Sequence, residues 1–181
     1  MSRPTSPLPD DVTSWPADRL IDHLVSTHHA YERAALARID NAFATLVRVV
    51  GPGPGCVTDG AAAFDRLKES LKRHLDKEEY VLFPHIRELA AEQGYEPRRS
   101  PFGTVANPIR MMEREHREAL TSLQAIRRLV AECARLNIGT ANLDCAEELS
   151  RLDEDLQRHV NIEDHVLFPK AIELEARANC A

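Results

Sequence analysis

The sequence predicts an all-α protein, an antiparallel up-down-up-down four-helix bundle made of two repeated αα-hairpins. Apolar residues recur in alternating steps of three and four along four long stretches, which is the spacing of a core-facing helical stripe. Segments rich in proline or glycine separate these stretches. An eleven-residue motif occurs twice, at His74–Pro84 and at His159–Pro169. This repeat indicates two similar hairpins that pack together.

The first predicted helix follows an N-terminal tail. Residues 1–13 carry three prolines among serines and aspartates, and we expect this tail to be flexible. The bundle is expected to span residues 14–181, with Ser14 as the N-cap of its first helix. That helix runs to about Val50, because the Gly-Pro-Gly-Pro-Gly sequence at 51–55 cannot continue it. Its core-facing stripe contains Val25, His29, Glu32, Leu36, Ile39, Phe43, Leu46 and Val50.

The second predicted helix carries the first copy of the motif. Thr58 or Asp59 can cap its start, and it ends around Gly94. Pro84 lacks a backbone N–H, so we expect a bend one to two turns beyond Glu78. Its core-facing stripe contains Phe64, Leu67, Leu71, His74, Glu78 and Val81.

The second hairpin repeats this plan. A loop from Tyr95 to Ala106 leads to the third helix, capped by Asn107. Gly139 ends that helix, and the fourth runs from about Asn142 to the C-terminus with the second copy of the motif. The stripe of the third helix contains Ile109, Met112, His116, Leu120, Leu123, Ile126 and Val130. The stripe of the fourth contains Leu149, Leu152, Leu156, His159, Glu163 and Val166.

Histidine and glutamate occupy stripe positions where a packed bundle favours leucine. In both motif copies they are four residues apart and therefore project from one helix face. Burying an unpaired carboxylate costs several kcal/mol, so these side chains need a cation, and a metal is the simplest one. The spacing within each hairpin brings its three polar residues to about one level. The six candidate ligands are His29, His74, Glu78, His116, His159 and Glu163.

Four imidazoles and two carboxylates suit two metal ions better than one. If Glu78 and Glu163 bridge, each ion receives two histidine nitrogens and two carboxylate oxygens. One or two positions remain for an oxo or hydroxo bridge and an exogenous ligand. Nitrogen and oxygen ligands with open positions are typical of non-haem iron, ahead of manganese or zinc. The sequence therefore predicts a di-iron centre.

Other glutamates and histidines lie near the stripes and are not among the six candidate ligands. Glu32 either orients a ligand histidine or points along the bundle to water. Glu113 and Glu115 flank His116, but the first helix has no matching Glu-x-x-His, which argues against a ferritin-like carboxylate site. The remaining histidines are interpreted as surface, outer-shell or peripheral groups: His23, His28, His85 and His165.

Composition limits the possible partners and compartment. A net charge of −6 argues against nucleic acid or an anionic membrane surface as partner. Neither a membrane span nor a signal peptide is evident, so we expect a cytoplasmic protein. The four cysteines have neither CxxC spacing nor the density of a disulfide scaffold, and we expect free thiols. Oligomeric state is left open.

The order of these ligands resembles the hemerythrin-like (HHE) domain. The two Val-Leu-Phe-Pro sequences, the Leu-Ile-Asp-His opening with His28-His29, and the Pro-Ile-Arg-Met-Met-Glu-Arg-Glu-His sequence ending at His116 further resemble the iron–sulfur cluster repair di-iron proteins. That resemblance covers about residues 14–175 and assigns the six candidate ligands to metal. Members of that group often carry a small cysteine-pair domain ahead of the bundle, which this sequence lacks, and some have another histidine at the position of Val50.

The resemblance implies a function as well as a fold. It implies a di-iron protein that helps to restore iron–sulfur clusters damaged by nitric oxide or oxidants, by iron release or redox cycling, with iron–sulfur proteins as candidate partners. Reversible binding or sensing of dioxygen or nitric oxide is an alternative. A di-iron oxidase or nitric oxide reductase would use the same site, and the sequence does not separate these activities.

Overall fold

The computed structural model describes residues 12–51, 55–91, 102–133 and 140–180. Within these ranges all regular structure is helical, which confirms the all-α class. The elements are a 3₁₀ turn at Val12–Ser14 and the helices α1 (Ala17–His23), α2 (Ala30–Val50), α3 (Gly55–Lys77), α4 (Phe83–Ala90), α5 (Ala106–Cys133), α6 (Thr140–Ile162) and α7 (Phe168–Ala178). Predicted features at residues 1–11, at Gly94 and at Gly139 lie outside the described residues. No helix in the described ranges is long and apolar enough to cross a membrane.

Three π-helical turns join shorter helices into longer continuous segments. The turn Leu24–His29 joins α1 to α2, Glu78–Leu82 joins α3 to α4, and Glu163–Leu167 joins α6 to α7. Together with the uninterrupted α5, these make the four long helical segments of a four-helix bundle. The sequence predicts the four segments but not the turns.

Each long helix packs against two others around the bundle axis. Helix α2 contacts α3 and α6, and α5 contacts the same two helices. Along α2 and α3, Arg33 pairs with Asp76 while the later Asp40 pairs with the earlier Lys68. Such opposite progression favours the antiparallel order, which stays a prediction for the bundle as a whole.

Two apolar clusters fill the interior and leave a polar layer between them. The larger cluster lies among α2, α3, α5 and α6, and includes Phe43, Phe64 and Leu123. The smaller cluster lies among α1, α4, α7 and the start of α5, and includes Phe83 and Phe168. On the first three long segments, the predicted metal ligands fall between the residues that build these two clusters. On the fourth, Val160 of the larger cluster and Ile162 of the smaller one lie between His159 and Glu163. The fold thus places the six polar side chains in one layer.

The π-helical turn after Glu78 changes which side chains face inward. The N–H of Phe83 donates to the carbonyl of Glu78, five residues earlier, so one more residue fits into the turn than in an α-helix. The prediction that Val81 faces the core is therefore wrong: Val81 is 45% exposed, and Leu82 is buried instead. The equivalent turn follows Glu163 in the second motif copy.

Helix α1 begins at Ala17 with Pro16 at its N-cap position, so the prediction of Ser14 as the cap is wrong. Two further predicted helix starts also differ from the structure. Helix α3 already begins at Gly55, and the hydroxyl of Thr58 donates to the Gly55 carbonyl inside that helix. Helix α5 begins at Ala106, where the hydroxyl of Thr104 accepts the Ala106 N–H in place of the predicted Asn107 cap. Polar residues in the first turn obscure the true cap in both cases.

The expectation of four free thiols is wrong for two of the cysteines. Cys56 near the start of α3 and Cys133 at the end of α5 form a disulfide, with their Cα atoms 6.1 Å apart. Because the pair is separated by 77 residues, no local spacing pattern reveals it. Cys145 is a buried free thiol and Cys180 is an exposed one. Burial raises the pKa of Cys145 to about 12, so this thiol is unreactive in the folded chain.

Candidate metal centre

The bundle brings the six predicted residues together as two overlapping groups. His29 and His159 form the first group with Glu78 and Glu163, and His74 and His116 form the second with the same two glutamates. Within each group the ligand atoms lie within 4.8 Å of one another, and all six side chains are buried. We call these groups the first position and the second position. Each position combines one histidine from each hairpin, a pairing that stripe spacing alone does not predict.

The imidazoles of each position point their Nε2 atoms at each other. These nitrogens are 3.2 Å apart between His29 and His159, and 3.0 Å apart between His74 and His116. Two nitrogens bound to one ion at about 2.1 Å and at right angles would be about 3 Å apart. The donor spacing therefore fits a single ion between each pair.

Each glutamate presents one oxygen to each position. Glu78 places Oε1 3.2 Å from His74 Nε2 and Oε2 3.5 Å from His29 Nε2. Glu163 places Oε1 3.1 Å from His159 Nε2 and Oε2 3.1 Å from His116 Nε2. None of these four buried oxygens has a hydrogen-bond partner among the described residues. Buried carboxylate oxygens are normally satisfied, so this layer fits a bound cation.

A carboxylate from outside the ligand set lies next to the Nδ1 atom of every ligand histidine. The Nδ1 atom of each imidazole lies 2.8–3.0 Å from a carboxylate oxygen. When Nδ1 carries the proton and donates it to that oxygen, Nε2 keeps a free lone pair directed into the centre. The pairs are His29 with Glu79, His74 with Glu115, His116 with Asp164, and His159 with Glu32.

Sequence reasoning found only part of this outer carboxylate set. Of the two interpretations of Glu32, the structure supports the first, because its carboxylate is oriented toward His159 rather than toward water. The role of Glu115 was left open. Glu79 and Asp164 were missed, although a signal exists: in both motif copies the ligand glutamate is followed directly by another acidic residue.

The π-helical turn Leu24–His29 brings two adjacent histidines into the interior. The side chains of His28 and His29 are 4% and 1% exposed, although an α-helix would separate them by about 100°. His28 Nδ1 lies 3.1 Å from Asp155, and its ring stacks on His159 with centroids 5.8 Å apart. The surface alternative for His28 is thus wrong, because its side chain is buried against a predicted ligand histidine.

The other histidines lie away from the ligand atoms. His23 is half-buried next to His28, and His165 is exposed. His85 is buried, with its ring edge-on to Phe102, and belongs to neither ligand group. Glu113 likewise belongs to neither group.

The phenylalanines of the two Leu-Phe-Pro sequences cover ligand imidazoles. Phe83 stacks on His29 with centroids 5.6 Å apart, and Phe168 stacks on His116 at 6.0 Å. Each ring comes directly after a π-helical turn, so the turn sets its position. The repeated sequence thus has a structural role and forms an apolar wall beside the polar layer.

The electrostatics of the metal-free chain favour charged imidazoles. Burial alone would lower the pKa of His74, but the carboxylates of Glu78 and Glu115 outweigh it and raise this pKa to about 9. Burial also opposes protonation of His116, yet Asp164 and the two ligand glutamates raise its pKa to about 11. Protons can therefore supply the positive charge that this layer needs.

The carboxylates respond in the opposite direction. Burial would raise the pKa of Glu163, but the His159 and His116 imidazoles hold it well below its usual range. The pKa of His159 is raised well above the ordinary value, because Glu163 and Glu32 outweigh its burial. Neighbouring charges and hydrogen bonds thus dominate over desolvation in this layer.

Comparison with known proteins agrees with this architecture. Residues 20–171 match the hemerythrin HHE cation binding domain. The iron-sulfur cluster repair protein YtfE of Edwardsiella ictaluri is 32% identical over 168 residues, which cover 91% of this chain and 71% of that protein. YtfE of Escherichia coli O157:H7 is 28% identical over 172 residues, or 92% and 71%. A probable iron-sulfur cluster repair protein of Haemophilus influenzae is 25% identical over 163 residues, or 90% and 68%. These matches confirm the resemblance seen in the motifs, and the chain belongs to the hemerythrin HHE cation-binding domain family.

Proposed function

We propose that the six-residue layer holds two non-haem iron ions, one at each position, bridged by Glu78 and Glu163. The observation that carries this proposal is the orientation of the two carboxylates, each with one oxygen directed to either histidine pair. The four orphaned oxygens support it, because a cation would satisfy all of them.

The donor set supports iron over other metals. Each position offers two imidazole nitrogens and two carboxylate oxygens, without thiolate, which is fewer ligands than a five- or six-coordinate ion takes. Such nitrogen and oxygen sites suit iron, which takes five or six ligands, better than a closed tetrahedral zinc site. When bound, the iron pair would supply one-electron redox chemistry and exchangeable iron.

The protein's own residues would orient and shelter this pair. The four outer carboxylates fix the tautomer and the ring angle of the ligand histidines. Phe83 and Phe168 exclude water from one side of the layer. Two of the outer carboxylates are paired with surface cations, Glu79 with Arg33 and Glu115 with Lys77. These pairs hold outer residues in place where the layer approaches solvent.

For the biological role, we infer repair of iron–sulfur clusters after nitrosative or oxidative damage, in the cytoplasm. The names of the relatives support this role, since the matches span most of this chain. Damaged iron–sulfur proteins would be the partners, receiving iron or electrons. Reversible binding of dioxygen or nitric oxide is the second candidate, favoured by the burial of all six ligands.

Iron content and iron release test the proposal together. The wild-type chain should contain about two iron atoms, and Glu163→Gln should retain fewer than one per folded chain, because Glu163 faces both positions. Glu173→Gln, on the exposed surface of α7, is the matched control and should retain both. A single tightly held zinc after growth in iron-replete medium would refute the di-iron site.

A chelator then separates the two candidate roles. If the protein repairs clusters, reduced iron should pass to a ferrous chelator at a rate similar to cluster recovery in a ferredoxin treated with nitric oxide. Full retention of both irons, combined with reversible spectral changes under dioxygen or nitric oxide and no cluster recovery, would replace the repair role by gas binding.

A further inference from the structure

Glu32 is a buried carboxylate that occurs in only one half of the centre. Its side chain is fully buried, its Oε1 lies 2.8 Å from His159 Nδ1, and its Oε2 has no hydrogen-bond partner among the described residues. Glu32 follows His29 by three residues. The residue three positions after His116, the matching ligand of the other hairpin, is Ala119. The repeat therefore does not require a glutamate here.

At each position two carboxylates contact the ligand histidines, but these carboxylates differ in burial between the two positions. At the first position the outer carboxylates are Glu79, which is paired with Arg33, and Glu32. At the second position they are Glu115, which is paired with Lys77, and Asp164. Each position thus has two carboxylates in direct contact with its ligand histidines, and one of the two is paired with a cation.

Solvent screens the two uncompensated carboxylates to different degrees. The side chain of Asp164 is 22% exposed, whereas that of Glu32 is 0% exposed. A charge in a low-dielectric interior acts more strongly on a nearby ion than a charge in contact with water. A cation at the first position would also relieve the cost of burying Glu32.

Rings from outside the ligand set also cover more of the first position than of the second, where the described contacts include one such ring, Phe168 on His116. His159 is covered by the ring of His28, which is itself held by Asp155, and His29 is covered by Phe83. Both imidazoles of the first position therefore have a ring stacked on them from outside the ligand set.

We propose that Glu32 makes the two metal positions unequal, so that the ion between His29 and His159 is retained while the ion between His74 and His116 exchanges. This inference rests on the proposed two-ion site and deepens it, because it identifies which iron a repair protein would release. Glu32 acts as a positioning residue through His159, and its charge sets the order of affinity.

A stepwise titration of the metal-free protein with Co²⁺ under anaerobic conditions tests this order. Visible absorption and calorimetry should show two binding steps that differ at least about tenfold in affinity. Glu32→Gln keeps an oxygen that can accept the His159 N–H but removes the charge. It should weaken the tight step by roughly 10- to 100-fold, the usual cost of disturbing an outer partner. Glu32→Asp, which keeps the charge, should restore much of that loss.

Matched variants assign the steps to positions. Asp164→Asn is the equivalent change at the second position, and it should affect only the weak step and by a smaller factor. His74→Ala should abolish the weak step and leave the tight one, with helicity checked by circular dichroism. Two equal steps in the wild type, or a Glu32→Gln effect on the weak step alone, would overturn the inference and leave the two-ion site standing. Fewer than two Co²⁺ ions per wild-type chain would refute the two-ion site itself.

Discussion

The apolar half of the bundle and the layer of histidines and glutamates lie on the same long helices, but their backbone conformations differ. Around Phe43 and Phe64 the helices are regular, and their buried residues follow the predicted steps of three and four. Beside the ligand layer, three of the four long segments contain a π-helical turn. The apolar half is built on regular α-helices, whereas the ligand layer also needs local departures from the α-helix.

The turns explain how a narrow layer can present so many polar groups. A π-helical turn adds one residue, so successive side chains can share the interior, as His28 and His29 do. In the motif copies the turn begins at the ligand glutamate and ends just before the phenylalanine that covers a ligand histidine. The uninterrupted α5 supplies one ligand, His116, and the first segment, which contains a π-helical turn, also supplies one, His29. Backbone irregularity is thus concentrated where the candidate chemistry is.

His28 and His29, adjacent on the π-helical turn Leu24–His29, should differ most in their effect on metal content. His29→Ala should remove one nitrogen from the first position and lower metal content from about two ions toward one per folded chain. His28→Ala should keep the metal content, because His28 is in neither ligand group. It should instead cost stability, on the order of 1–3 kcal/mol, because Asp155 loses a buried hydrogen bond. Metal analysis and urea unfolding of both variants measure the two effects.

Equal metal loss from the two variants would contradict this assignment. It would mean that His28 stabilises the first position as strongly as a ligand does, and the boundary between the ligand layer and its surroundings would have to move. Circular dichroism of both variants ensures that metal content is compared per folded chain.

The comparison between the apolar half and the ligand layer also shows how much of the structure the sequence can predict. Periodicity placed Leu36, Phe64 and Leu123 correctly, since regular helices keep the 3.6-residue repeat that the argument assumes. It also selected all six residues that the structure brings together. It failed for Val81 and left the burial of His28 open, because a π-helical turn shifts the helical phase and no local residue pattern marks it. Long-range features such as the Cys56–Cys133 pair and the outer carboxylates need the packed bundle.

Proton release is the second way to sharpen the comparison, because the histidines with strongly raised pKa values lie in the ligand layer. His74 and His116 have pKa values of about 9 and about 11, above the unfolded value of about 6.5. Their stabilising contribution to the metal-free chain is fully present below about pH 6.5. It is lost as pH rises through about 9 and then about 11. Metal must displace these protons, since only neutral imidazole binds it.

Metal loading at pH 7 should therefore release about two to three protons per chain, counting His159, whose pKa is also raised. Apparent metal affinity should rise between pH 6 and pH 9. An indicator dye in weak buffer measures the protons, and Co²⁺ titrations at several pH values measure the affinity. Loading without proton release would mean that the imidazoles are already neutral in the metal-free layer.

The disulfide gives the smallest expected effect on metal, because it lies at the far end of the apolar half. Cys56 and Cys133 are each about 25 Å along their helices from the nearest ligand histidine. Cys56→Ser with Cys133→Ser should lower the free energy of unfolding by roughly 2–4 kcal/mol, since the bond closes a long loop in the unfolded chain. Metal content and optical spectrum per folded chain should not change.

Cys180→Ser, at an exposed free thiol, is the control and should change neither the free energy of unfolding nor the metal content. Thiol counts in denaturant should be two before reduction and four after it. Loss of metal on reduction would show that the two halves of the bundle are coupled, and that packing in the apolar half holds the ligand layer in register.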